Sequence, residues 1–261
     1  MTGPDLGSIS AVQSFIRGGR FSYATDPIQS TTAATRQPWL AWIAQPRVDK
    51  SVDQIIFDEA VESLGLSLAL DRRSTADALR WLRDDRSNSR LSLRVSGASL
   101  TDPALASEML ARIDEYRIEP DRLCFDIAVH AALSDLTGAT RFVKALRRAG
   151  SLIALSNGIP GNPVLGLYGP LGFVNYLKVD RRWIRSAPDS TSHRQTLESI
   201  VDYAKRLGLQ VIGEGVDTNR HLELVTRLGV DFYAGKINGG ASLVAESSSD
   251  GEPLVRIERS A

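Results

Sequence analysis

Leu197-Glu-Ser-Ile-Val-Asp-Tyr-Ala-Lys-Arg-Leu-Gly-Leu-Gln-Val-Ile-Gly-Glu-Gly-Val216 decides the fold class. Leu197, Ile200, Val201, Ala204 and Leu207 recur at the helical period and define one apolar stripe. Lys205 and Arg206 place cations in the last turn, and Gly208 stands where the chain can turn left-handed. An apolar strand, Gln210 to Glu214, follows at once. The same helix ending recurs at Arg148-Ala149-Gly150 and Arg227-Leu228-Gly229, each again running into an apolar strand.

Working outward, the strand signals are Phe21 to Ile28, Trp39 to Ala44, Leu91 to Ser96, Leu123 to Ala128, Leu152 to Ser156, Tyr176 to Asp180, Gln210 to Glu214 and Val230 to Ala234. Short apolar strands alternating with helices predict a parallel sheet covered by helices. Eight of them in 261 residues predict a closed single (β/α)8 barrel. No Gly-x-Gly-x-x-Gly or Walker motif supports an open doubly wound sheet. The expected organisation is a lead-in helix over 1–19, a barrel over 20–244 and a flexible tail over 245–261, where Glu246-Ser-Ser-Ser-Asp-Gly251 falls.

Composition narrows the function. Lys plus Arg and Asp plus Glu number 31 each, so nothing points to a nucleic-acid surface or an anionic membrane. The single cysteine, Cys124, lies in an apolar run, which reads as a small buried hydrophobe and a reducing compartment. No stretch is long and apolar enough to span a bilayer, and Met1 to Gly7 does not read as a signal peptide. A cytoplasmic protein is expected.

Barrel sites form at the C-terminal ends of the strands. Those ends carry Arg94, Asp126, Ser156, Asn157, Lys178, Asp180, Glu214 and Ala234. His130, His193 and His221 share no ligand spacing, so helix-end or surface roles are expected. Packing is expected of Trp39 and Trp42, helix capping of Asp217, and a loop hydrogen bond of Asp180.

Several segments resemble the EAL domains of metal-dependent cyclic di-GMP phosphodiesterases. Tyr176-Leu-Lys-Val-Asp180 resembles the family's strand ending Lys-Ile-Asp, and Gly213-Glu-Gly-Val-Asp-Thr218 its Ala-Glu-Gly-Val-Glu-Thr. Leu91 to Ser96 with Asp102-Pro103, and Arg122 to Ile127, match two further segments in order. The resemblance implies an EAL-type barrel and a site with two divalent cations, Mg2+ or Mn2+, that activate a water.

Carried over position by position, the resemblance implies a lost site. Leu40 stands for the Glu of the family signature, and Arg94 for an Asn ligand. Asp126 and Val129 stand for a Glu pair, Ser156 and Asn157 for two adjacent Asp, and Ala234 for a Gln. Ala44 falls near the Arg that contacts the dinucleotide in the family. Lys178 and Glu214, resembling the catalytic Lys and general-base Glu, survive as vestiges. No catalytic metal is expected, because one carboxylate and one amide are too little to dehydrate Mg2+. Arg94 and Lys178 are expected to pair with Asp126 and Glu214, standing in for the cations. Ser156 to Pro163 replaces the loop that couples metal binding to dimerisation, and Ile159 to Tyr168 is a candidate apolar contact surface.

The expected function is an inactive regulatory or protein-interaction module in cyclic di-GMP signalling. The alternatives are a receptor that binds cyclic di-GMP without cleaving it, and an active phosphodiesterase.

Overall fold

The computed structural model describes residues 21–32, 37–46, 54–158, 167, 171–172, 174–247 and 254–257. The lead-in segment 1–19 and most of 159–168 therefore lie outside the described residues, so the expected first helix and apolar surface do as well.

Eight strands close a barrel: β1 (Phe21–Ser30), β2 (Trp39–Pro46), β3 (Arg90–Val95), β4 (Leu123–Ala128), β5 (Leu152–Gly158), β6 (Tyr176–Val179), β7 (Gln210–Glu214) and β8 (Phe232–Ala234). They pair in chain order, and β1 pairs with β8 to close the ring. The strands from β2 to β8 run parallel, but β1 is antiparallel to both neighbours. Reading every strand as part of a parallel sheet is thus wrong for β1. Only eight residues, 31–38, separate β1 from β2, which antiparallel neighbours allow and a parallel crossover does not.

Helices cover the barrel: α1 (Gln54–Ser63), α2 (Ser67–Arg83), α3 (Gly97–Thr101), α4 (Leu105–Glu115), α5 (Val129–Ser134), α6 (Leu136–Arg148), α7 (Arg181–Ser186), α8 (Thr191–Arg206) and α9 (Asn219–Arg227). Their starts are capped as their sequences allow: Asp135 accepts from Gly138 N, Ser190 from His193 N and Thr218 from His221 N. The helix endings read from the sequence are left-handed, with φ of 101° at Gly150 and 74° at both Gly208 and Gly229.

Strand alternation divides the core in two. One face of each strand packs on the helices, as Leu91, Leu93, Phe125, Ile127, Ile153, Leu177 and Val211 do. The other face fills the lumen with Ile28, Trp39, Cys124, Ala154, Tyr176, Ile212 and Ala234. Trp39 meets Tyr176 and Phe232 at ring distances of 4.8 and 5.1 Å, an aromatic plug in the lumen.

The sheet continues past the barrel. β9 (Ser242–Glu246) pairs with the first half of β1, and β10 (Val255–Arg256) pairs with β9. Ser247 clamps the end of β9, accepting from Phe21 N at 2.7 Å through Oγ and donating to Phe21 O through its amide. The expected boundary at 244 therefore falls inside a strand. Residues 245–247 and 254–257 are ordered by backbone pairing that a Ser-rich composition does not reveal.

Candidate functional site

The apolar lumen turns polar one pleat above Cys124, Tyr176 and Ile212. Two residues on from each stand Asp126, Lys178 and Glu214. Lys178 Nζ donates to Asp126 Oδ2 at 2.7 Å and to Ser92 Oγ at 3.1 Å, and lies 3.7 Å from Glu214 Oε1. Asp126 and Lys178 are buried, whereas the Glu214 side chain remains 28% exposed. One ammonium thus ties four strands, β3, β4, β6 and β7, at a single level of the barrel.

The electrostatics follow from that placement. Burial alone would lower the Lys178 pKa, but Asp126 and then Glu214 outweigh it and hold the ammonium above an ordinary lysine. Burial pushes the Glu214 carboxyl above the usual carboxylate range, with Lys178 drawing it down and Asp126 pushing it up. Burial also raises the Cys124 thiol to about 12, so it is no nucleophile. Asp126 Oδ1 is buried with no hydrogen-bond partner among the described residues.

Arg94 does not join this network. Its guanidinium is 63% exposed and lies 3.5 Å from Asp58 of α1. The expected four-charge arrangement is therefore not formed: Lys178 alone bridges both carboxylates, while Arg94 is exposed and pairs with Asp58 instead. A second cation in the lumen, beside the Lys178 ammonium, would carry a desolvation penalty that the mouth avoids. Its charge still acts on Glu214, lowering its pKa.

Leu40 also departs from expectation. It packs against the helix-layer core, whereas Trp39 and Ala41 face the lumen. A shift of one residue along a strand exchanges faces, so motif alignment across a strand with so few matched residues cannot fix the inward position. Either way, the lumen-facing Trp39 and Ala41 carry no oxygen ligand. Ala44 likewise packs outward.

The other expected positions are where the strands put them. Ser156 is buried opposite Ala128, and Ala234 belongs to the lumen cluster. Asn157 follows Ser156 in β5, but its side chain lies outside the described residues. Val129 begins α5 and is buried in the helix-layer core, so that position offers no ligand. Asp180 caps α7 by accepting from Arg182 N at 2.8 Å. Asp217 is not the cap it was expected to be. Thr218 caps α9, while Asp217 accepts from Lys236 N at 3.0 Å and pairs with Arg185. His130 is exposed, His193 Nδ1 lies 2.8 Å from Ser186 Oγ, and His221 Nδ1 accepts from Asp217 N.

Two lumen residues escaped the sequence reading. Ser92 bonds Lys178, and its signal was the alternation of β3 two residues before Arg94. Asp26 pairs in register with Ala41 and therefore faces inward. Its carboxyl is raised by burial, with Arg181 opposing, and its Oδ1 has no hydrogen-bond partner among the described residues. It was missed because a β1 read as parallel gives no reason to look for site residues in mid-strand. Arg181 packs its stem on Gly215, whose positive φ of 78° and missing Cβ leave the space. Among the described residues, no three His, Cys, Asp or Glu side chains are grouped closely enough to share a metal ion.

A closed α/β barrel with a lysine-bridged carboxylate pair in its lumen is the class that fold and site define. The EAL domain family profile matches residues 10–239, and the chain belongs to that family. Among similar proteins, the cyclic di-GMP phosphodiesterase PdeF of Escherichia coli is 24% identical over 211 residues, which cover 79% of this chain and 28% of PdeF. The probable cyclic di-GMP phosphodiesterase PdeA of the same organism is 23% identical over 71% of this chain and 26% of its own length. The chain thus spans little more than a quarter of the curated relatives it matches. The FimX EAL domain from Pseudomonas aeruginosa, solved bound to c-di-GMP, superposes with a TM-score of 0.79 at 19% identity, over 90% of this chain and 96% of that one. No described helix is long and apolar enough to cross a membrane.

Proposed function

We propose that this EAL domain does not hydrolyse a phosphodiester and acts as a regulatory module in cyclic di-GMP-related signalling, through contact with a partner protein. The observation that carries this reading is the Lys178 ammonium, bonded to Asp126 and beside Glu214 in the lumen. Two divalent cations would need many oxygen ligands between them, each cation taking about six. The described lumen offers three carboxylates, Asp26, Asp126 bound to Lys178 and Glu214 beside it, plus Ser92 and Ser156, while Ala41 and Ala234 contribute none, and among the described residues no three acidic, His or Cys side chains lie close enough to share one ion. These residues do not fit a two-cation site.

Asp126 and Glu214 here stabilise the Lys178 ammonium, and Lys178 in turn fixes the separation of β4 and β7. In this reading the site holds a shape. The domain is cytoplasmic in this reading. The second reading is a cyclic di-GMP receptor, favoured by the FimX EAL domain bound to that dinucleotide and by Arg94 exposed at the lumen mouth.

Titration of the protein with cyclic di-GMP, with and without Mn2+, tests the proposal. The expected result is no linear dinucleotide product and no Mn2+-dependent rise in melting temperature. Metal-dependent turnover would overturn it. Binding tighter than about micromolar without turnover would establish the receptor instead.

A further inference from the structure

We propose that the groove between α2 and α4 is a docking surface for an acidic, amphipathic segment of a partner protein. The groove measures about 550 Å3 and lies on the outer helical layer, apart from the lumen. Its floor is Leu68, Ala69 and Ala76 of α2, residues of one helical face, and Gly65 at its end leaves open space. Its walls are four guanidiniums: Arg72, Arg73 and Arg80 of α2 and Arg112 of α4.

The charges are not equally engaged. Arg72 is held by Asp102 at 3.1 Å and Glu108 at 3.1 Å, which neutralise that end. Arg73 and Arg80 share Asp77, each at 2.9 Å, but Asp77 is buried and Tyr23 also donates to it at 2.7 Å. One carboxylate cannot balance two guanidiniums, so this group keeps a net positive charge. Arg112 has no acidic partner among the described residues. The Arg80–Arg112 end is therefore cationic, beside apolar methyl groups that an enclosed polar anion would not need. A partner with an apolar residue on Ala69 and Ala76, and Glu or Asp towards Arg80 and Arg112, matches both features.

This names the kind of partner for the interaction-module reading and rests on it. Its assay is independent of turnover, so failure here leaves the hydrolysis result untouched. The probe is a fluorescein-labelled leucine–glutamate amphipathic helix of about 14 residues, roughly four turns. Inorganic pyrophosphate is the second arm. Arg112→Glu reverses the unpaired charge, and Ala69→Glu blocks the exposed floor. Neither removes a residue of the lumen network, and melting temperature checks that both fold. Arg206→Glu on α8 is the exposed control.

The expected result is peptide binding that weakens about fivefold or more in each groove variant, is unchanged in the control, and falls with added salt. No peptide binding by the wild type would overturn the proposal, as would equal binding by the groove variants. Pyrophosphate binding that alone responds to Arg112→Glu would assign the groove to a small anion and also overturn it.

Discussion

Replacing Lys178 with methionine removes the ammonium and keeps most of the side-chain volume. Its contacts at 2.7 Å to Asp126 and 3.7 Å to Glu214 correspond to gross attractions of about 6 and about 4.5 kcal/mol at an effective dielectric near 20. Desolvation of three charged groups offsets most of that, so the network adds little net stability as a unit. Removing one partner is different. It leaves two carboxylates facing each other, with Asp126 buried, and such losses run to about 3–5 kcal/mol. For a domain of this size, that lowers the melting temperature by about 6–20 °C. Lys178 holds its proton above an ordinary lysine, so the contribution is fully present below about pH 10 and lost only as pH rises through the folded value. Calorimetry at pH 7 therefore reads it whole. The decisive comparison is the double variant Lys178→Met with Asp126→Asn, which removes a buried charge with its partner. The double variant is expected to recover about 1–3 kcal/mol relative to the sum of the single changes. A Lys178→Met protein melting within about 2 °C of the wild type, or fully additive losses, would refute the coupled-network account.

Glu214→Gln tests the raised carboxyl. A carboxylate with a raised folded pKa favours the fold while protonated, an advantage present below about pH 4.3 and lost as pH rises through the folded value. Chemical denaturation of wild type and variant should diverge in that window, with the wild type losing stability relative to the variant; the opposite slope would contradict the burial argument. Asp77→Ala leaves the Tyr23 hydroxyl and the Arg73 and Arg80 guanidiniums without a shared acceptor. Since both arginines are part-exposed, the expected loss is about 2–4 kcal/mol by urea unfolding, and a loss under about 1 kcal/mol would show that water replaces the carboxylate.

The periodic part of the molecule is legible in its residues alone. The Leu197–Leu207 stripe and the Gly that ends it required a helix running into a strand, because apolar spacing and backbone handedness are local properties. The strands Leu123–Ala128 and Gln210–Glu214 have the bounds read from the sequence, and Lys178, Asp126 and Glu214 meet as alternation from strand ends demands. Tertiary structure decided what local pattern leaves free. The direction of β1 is set by antiparallel pairing with β2 and with β8, the latter more than 200 residues away, and the register with Ala41 of β2 turns Asp26 into the lumen. A one-residue choice of face sends Leu40 to the helices and Ala41 inward. Arg94 and Lys178 are both cations near strand ends, yet one is buried and one exposed. Only the closed barrel fixes how deep each sits, and depth sets the desolvation that a second lumen cation could not offset.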